Sequence, residues 1–221
     1  MMDYFRCYRD FVSKKLRILS NVLCLGVMFF SILLTVVISP VIVVVVGSEL
    51  VVFVEVILDF FSFGGISVKK QKVMEFLKGS LEGETVLKKA LFADMVKHFV
   101  HAMIVPVAIL IEMLLTGQRI GVAYGICMVI SFASCAAAII MIALIFTRKF
   151  AQLLTTHFLV MYLSAGVASF LIIVPSLLFM EMTFSILQVL GAIVLFAVFV
   201  GTGILNVSTC TKGYKSGFYD N

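Results

Sequence analysis

Asp94, His98 and His101 follow an i, i+4, i+7 spacing. At 100° per residue this turns the three side chains to one side of a helix, within about 60° of each other. Imidazole and carboxylate on one face are the ligand types of zinc and of proton relays, and the imidazole pKa lies close to physiological pH. Glu112, eighteen residues after Asp94, completes five turns and points the same way unless Pro106 bends the helix. Glu55 and Asp59, four residues apart, share a face of another helix, with Glu49 on a different side. The remaining histidine, His157, enters a later helix from the same end as His98 and His101. Asp94, His98, His101 and His157 are therefore candidate metal ligands, for zinc by donor type. Glu55, Asp59, Asp94, His98, His101 and Glu112 are candidates for a polar path that carries an ion, a proton or a substrate. The D-x-x-x-H-x-x-H spacing also arises at the start of amphipathic helices, where such groups are solvated or paired.

What must hold these groups is membrane-spanning helix. The chain of 221 residues is 62% hydrophobic and 13% charged, with a mean hydropathy of +1.20. Soluble domains average roughly 45–50% apolar and about 25% charged, so no water-soluble core of this size hides so much apolar surface. A helix of about 20 apolar residues crosses a hydrocarbon layer of ~30 Å. Six such stretches fit, at about 18–39, 41–63, 95–115, 120–146, 150–178 and 183–205. Several are long enough to tilt. The fold class predicted is all-α, a polytopic integral membrane bundle of six transmembrane helices. A charged group at the centre of such a helix costs at least ~2.5–3.5 kcal/mol, so the acidic and histidine residues inside these stretches demand a partner or an aqueous lining.

Pro40 decides between two topologies, because residues 18–46 also read as one long tilted helix followed by an amphipathic segment. That choice leaves five spans and places Lys69, Lys70, Lys72, Lys78, Lys88 and Lys89 across the membrane from the basic segment 1–17. With six spans, those lysines share a side with Arg6, Arg9, Lys14, Lys15, Arg17, Arg148, Lys149, Lys212 and Lys215. Fifteen of the seventeen basic residues then fall on one side, leaving Arg119 outside and Lys97 near a helix end. Basic loops stay cytoplasmic during insertion, so both termini are expected in the cytosol. The first apolar run is too long for a signal-peptide core and is expected to remain as a span. Which membrane receives it is unread.

Residues 64–90 form the one sizeable polar connection, with Val73, Phe76, Leu77, Leu81, Val86 and Leu87 among lysines and glutamates. The pattern predicts short amphipathic helices, broken near Gly79 and Gly83, lying on anionic lipid headgroups through the lysines of 69–89. The tail 206–221 is expected to be cytoplasmic; its Asn206-Val207-Ser208 sequon should then carry no glycan. Five cysteines show no C-x-x-C pair; Cys7 and Cys210 are candidate palmitoylation sites. Gly117, Gly121 and Gly125 recur every four residues and run on toward Ala133 and Ala137, a smooth face for close helix packing within the bundle or across a homodimer. The pI of about 9.0 reflects topology signals, and no nucleic-acid partner is expected.

The chain contains no G-x-S-x-G, P-loop, H-E-x-x-H or Gly-rich dinucleotide loop, and three histidines are too few for the repeated boxes of a membrane di-iron oxidase. An enzyme is the less favoured class. Three readings stay open: a small transporter or ion-handling protein using the polar path of the second and third spans, a non-enzymatic membrane-organising or trafficking component, and a lipid-modifying metalloenzyme. The first ranks ahead because acidic and histidine residues cluster in adjacent spans.

Overall fold

The computed structural model describes residues 2–59, 61–62, 82–118, 120–150, 154–179 and 184–216. Apart from a short π-helical turn at 61–62, the regular elements are seven α-helices: α1 (Met2–Phe11), α2 (Lys14–Leu34), α3 (Pro40–Asp59), α4 (Gly83–Leu115), α5 (Val122–Phe150), α6 (Leu154–Leu178) and α7 (Ile186–Ser216). There is no strand among the described residues. Five of these helices, α2 to α5 and α7, are long and apolar enough to cross a membrane. The protein is an all-helical bundle with multi-pass membrane character. The further stretch expected at 150–178 falls on α6.

The break at Pro40 is present. Ser13 caps α2 by accepting a hydrogen bond from the Leu16 amide at 3.3 Å, and the chain leaves the helix in turns at 35–38. Pro40 then opens α3 at its first position, where proline lacks only an amide hydrogen that has no intrahelical partner. The two helices pack against each other as a hairpin. One long helix over 18–46 is thereby replaced by two.

Two expected boundaries move. The start of α4 lies at Gly83, so residues 83–94 are the first three turns of a 33-residue helix rather than a separate surface segment. Of the polar connection, residues 63–81, with Lys69, Lys70, Lys72 and Lys78, lie outside the described residues. Pro106 leaves α4 continuous to Leu115. At the C-terminus, α7 runs on to Ser216, so much of the expected tail is helix. The N-terminal segment is also ordered: α1 lays Tyr8, Phe11 and Val12 on Leu87, Ala90, Leu91 and Ala93 of α4. Asp3, Arg6, Arg9 and Asp10 stay exposed on its other side. Cys7 and Cys210 are half-buried against the same cluster.

α5 is the central rod. Its Ser131–Ala138 run of small residues, with Ile140, Met141 and Leu144, is buried among α3, α4, α6 and α7. Small side chains let the neighbouring helices close on it without leaving voids. Gly117 stands at φ +81° just beyond α4, where the Gln118 amide reaches back to the Met113 carbonyl at 3.1 Å. It closes the helix as a left-handed C-terminal cap and not as part of a packing stripe. Gly121 precedes α5 with open space at its Cβ position. Gly125 faces Leu110 of α4, and Ala133 and Ala137 are fully buried, so only these three of the five small residues sit inside the bundle.

Candidate functional site

Hydropathy puts α2, α3, α4, α5 and α7 side by side, and their direction of travel brings the first turns of α2 and α4 to the end of the bundle where α3, α5 and α7 finish. The polar residues meet at that end. Glu55 on α3 is completely buried. Lys97 Nζ donates to its Oε2 at 2.6 Å, and His98 Nδ1 lies 2.7 Å from the same oxygen. His101 Nδ1 lies 2.6 Å from Oε1, which also accepts from Ser20 Oγ at 2.9 Å and Cys24 Sγ at 3.4 Å, both on α2. The far side of the His101 ring, Nε2, meets Asn21 Oδ1 at 3.0 Å.

From His98 the network continues. Its Nε2 lies 3.2 Å from Asp94 Oδ2, one turn earlier on α4. Both His98 contacts are charge contacts off the ring N–H directions. Arg148 of α5 donates from Nη2 to Asp94 and, at 2.5 Å, to Asp59 Oδ1. Its Nε lies 3.2 Å from both Asp59 oxygens, and Nη1 donates to Asn206 Oδ1 at 3.0 Å. Asn206 of α7 returns a bond from Nδ2 to the Met141 carbonyl at 3.0 Å. That amide is buried and engaged on both atoms, which leaves no room for a glycan. One connected set of polar contacts thus runs from Asn21 to Asn206 across five helices.

Tyr8 of α1 sits above this set, near enough to sense Lys97, Asp94, Glu55 and Asp59, and burial raises its phenol pKa well above the ordinary range. It is therefore a neutral roof over the ionised groups. The cleft of about 440 Å³ between α4 and α7, lined among others by Glu84, Lys88, Phe92 and Lys212, contains none of the network's members.

Charge bookkeeping within the set is informative. Among the described residues, three carboxyl groups, Glu55, Asp59 and Asp94, stand against two permanent cations, Lys97 and Arg148. Buried ion pairs persist only when matched and hydrogen-bonded. One further positive charge, on an imidazole or as a bound cation beside it, balances the set.

Five of the six path candidates come together here: Glu55, Asp59, Asp94, His98 and His101. Glu112 does not. It lies eleven residues beyond His101, about 16 Å further along α4, toward the opposite end of the bundle. The four metal candidates also divide. Asp94 faces Arg148, His98 stands between Asp94 and Glu55, and His101 turns to Glu55, Cys24 and Asn21. His157 lies on α6, and its side chain is outside the described residues. Ser20, Asn21, Cys24, Lys97, Arg148 and Asn206 complete the network. A sequence-level signal for them exists: Ser20, Asn21 and Asn206 are polar interruptions in apolar runs, the kind of residue that needs an internal partner.

Cys24, His101 and Asn21 also stand in the order thiol, ring nitrogen, ring nitrogen, amide oxygen, with Sγ to Nδ1 at 3.5 Å. That order suits an activated thiol nucleophile. Here Cys24 is completely buried and Glu55 occupies the shared ring nitrogen more closely than the sulfur does, so the thiol is not presented to a substrate.

Comparison of the chain with protein-family models, curated proteins and solved structures found no match.

Proposed function

We propose that this protein handles a small cation or proton within a six-span membrane bundle whose two termini and 69–89 lysines face the cytosol. The observation that carries this reading is the connected buried network centred on Glu55, whose contacting groups among the described residues include one more carboxylate than permanent cations. A fully matched set of fixed charges would serve assembly alone, whereas a set completed by a mobile positive charge provides a place for one to bind and leave. Intramembrane ionisable groups face a bundle interior or an aqueous path for the same reason. In this reading Glu55, His98 and His101 hold the cation, Asp94 and Asp59 bias Arg148, and the lysines of 69–89 rest on anionic headgroups.

The test is ion flux into liposomes containing the purified chain. Glu55→Gln and His101→Gln should abolish flux while leaving protein abundance and elution behaviour unchanged. Loss of abundance without a specific loss of flux would assign the network to folding.

A second reading, a non-enzymatic membrane-organising component, is favoured by the packing of α1 on α4, which builds a charged platform from Arg6, Arg9 and Lys88 at the same end. Proximity labelling should then recover a reproducible partner that is lost on deleting residues 69–89.

A further inference from the structure

We propose that Cys24, Glu55 and His101, with the Ser20 hydroxyl at a fourth corner, bind a borderline-soft divalent transition-metal cation of the zinc class. The inference deepens the ion-handling reading by naming the class of cation, and it rests on that reading only for the role of the ion, not for its binding. The ligand set differs from the Asp94, His98, His101 and His157 combination suggested by spacing, and it draws on three helices.

The donor atoms have the spacing of a tetrahedral shell. With bonds of about 2.0–2.3 Å, a tetrahedral zinc site separates its ligand atoms by about 3.3–3.7 Å. Cys24 Sγ lies 3.4 Å from Glu55 Oε1 and 3.5 Å from His101 Nδ1. Ser20 Oγ lies 3.4 Å from the same ring nitrogen and 2.9 Å from the carboxylate oxygen. Two edges must open by up to about 1 Å, that between Ser20 Oγ and Oε1 at 2.9 Å and, most of all, that between Nδ1 and Oε1 at 2.6 Å. That edge is also the reason a cation belongs there. Asn21 Oδ1 lies 3.0 Å from Nε2, and in the tautomer that carries the ring hydrogen on that side the Nδ1 lone pair is aimed at a carboxylate oxygen. In that tautomer a positive species, a proton or a metal cation, belongs between the two acceptors.

The neighbouring groups favour this pocket over the other one. Asp59, Asp94 and His98 also converge, but the Arg148 guanidinium already occupies both of their carboxylates. At Glu55, Lys97 and His98 engage Oε2 and leave Oε1 to the metal. The thiolate supplies the soft ligand that separates zinc and cobalt from magnesium and calcium, which prefer oxygen alone.

The experiment uses the full-length, tag-free chain in detergent, titrated with Co²⁺ and then with Zn²⁺. The expected result is about one cobalt per chain with a thiolate-to-cobalt absorption band, and displacement of that band by zinc. Cys24→Ser should remove the band, Asn21→Ala should weaken binding roughly 10–100-fold, and Cys127→Ser should change neither. A wild-type chain that binds no cobalt, or binds it without the thiolate band, overturns the assignment whatever the variants do. If binding is absent but Glu55→Gln still abolishes ion flux, the metal class falls and the ion-handling reading stands. If binding is present and flux is unaffected by Glu55→Gln, the site stands as a structural metal centre.

Discussion

Arg148 touches Asp59 and Asp94 through one nitrogen and reaches Asn206 through another, so one guanidinium links α3, α4, α5 and α7. Arginine suits this position because its planar fork serves several acceptors at fixed angles, which a lysine ammonium on a flexible stem does not. Arg148→Met should leave two buried carboxylates uncompensated and destabilise the protein by about 3–5 kcal/mol. Thermal melting in detergent reads this directly. Adding Asp59→Asn to Arg148→Met should recover part of the loss, because it removes one of the stranded charges; strict additivity of the two changes would mean that the residues are uncoupled. These partners are hidden from a linear reading. Arg148 stands 89 positions from Asp59, and Glu55 stands 46 from His101, so spacing within one helix reveals neither contact. The local pair Asp94 and His98, four residues apart, is legible because both lie on one helix face.

At the scale of elements, the crossing of α2, α3 and α4 depends on Gly47. A Cβ there would meet Ser31 Oγ at 2.5 Å and Val105 Cγ1 at 2.6 Å, one from each neighbouring helix. Gly47→Ala should therefore cost about 1–3 kcal/mol through overpacking. Gly26→Ala is the matched comparison: it lies inside α2 with nothing within 4 Å, and helix propensity favours alanine there by about 1 kcal/mol. Opposite signs for the two substitutions, read as melting temperatures, are expected; equal effects would show that the close approach at Gly47 is not maintained. The glycines that stand out by repetition, Gly117 and Gly121, turn out to be a helix cap and a position with open space at its Cβ, while the glycine at the crossing of α2, α3 and α4 is isolated among valines. Repetition reports helix period, but close packing depends on which face meets another helix.

For the whole molecule, the contacts bring the start of α2 and α4 and the ends of α3, α5 and α7 to one end of the bundle. α1, packed on α4, and the last turns of α7 lie there as well. Reporter tags on the two termini should consequently read out from the same compartment, which the charge bias of the connections predicts to be the cytosol. Tags reporting from opposite compartments would exclude the six-span arrangement. The same end carries α1 and the buried network beneath it, so the polar groups lie toward one end of the bundle and not at its middle. Glu55 is one helical turn deeper than Asp59, the last residue of α3.

The all-helical class, the apolar rods and the hairpin at Pro40 follow from composition and local covalent geometry, because the bilayer imposes a length and polarity on each helix independently of its neighbours. The candidate carboxylates and histidines of α3 and α4 were visible for the same reason: an ionisable group in an apolar run announces a need for a partner. Which partner answers that need was decided only in three dimensions. The azimuth of each helix and its depth relative to the next are set by side-chain packing across the bundle, and that packing turned His101 toward Cys24 and Asn21, brought Glu55 against Lys97 and His98, and set Arg148 between Asp59 and Asp94.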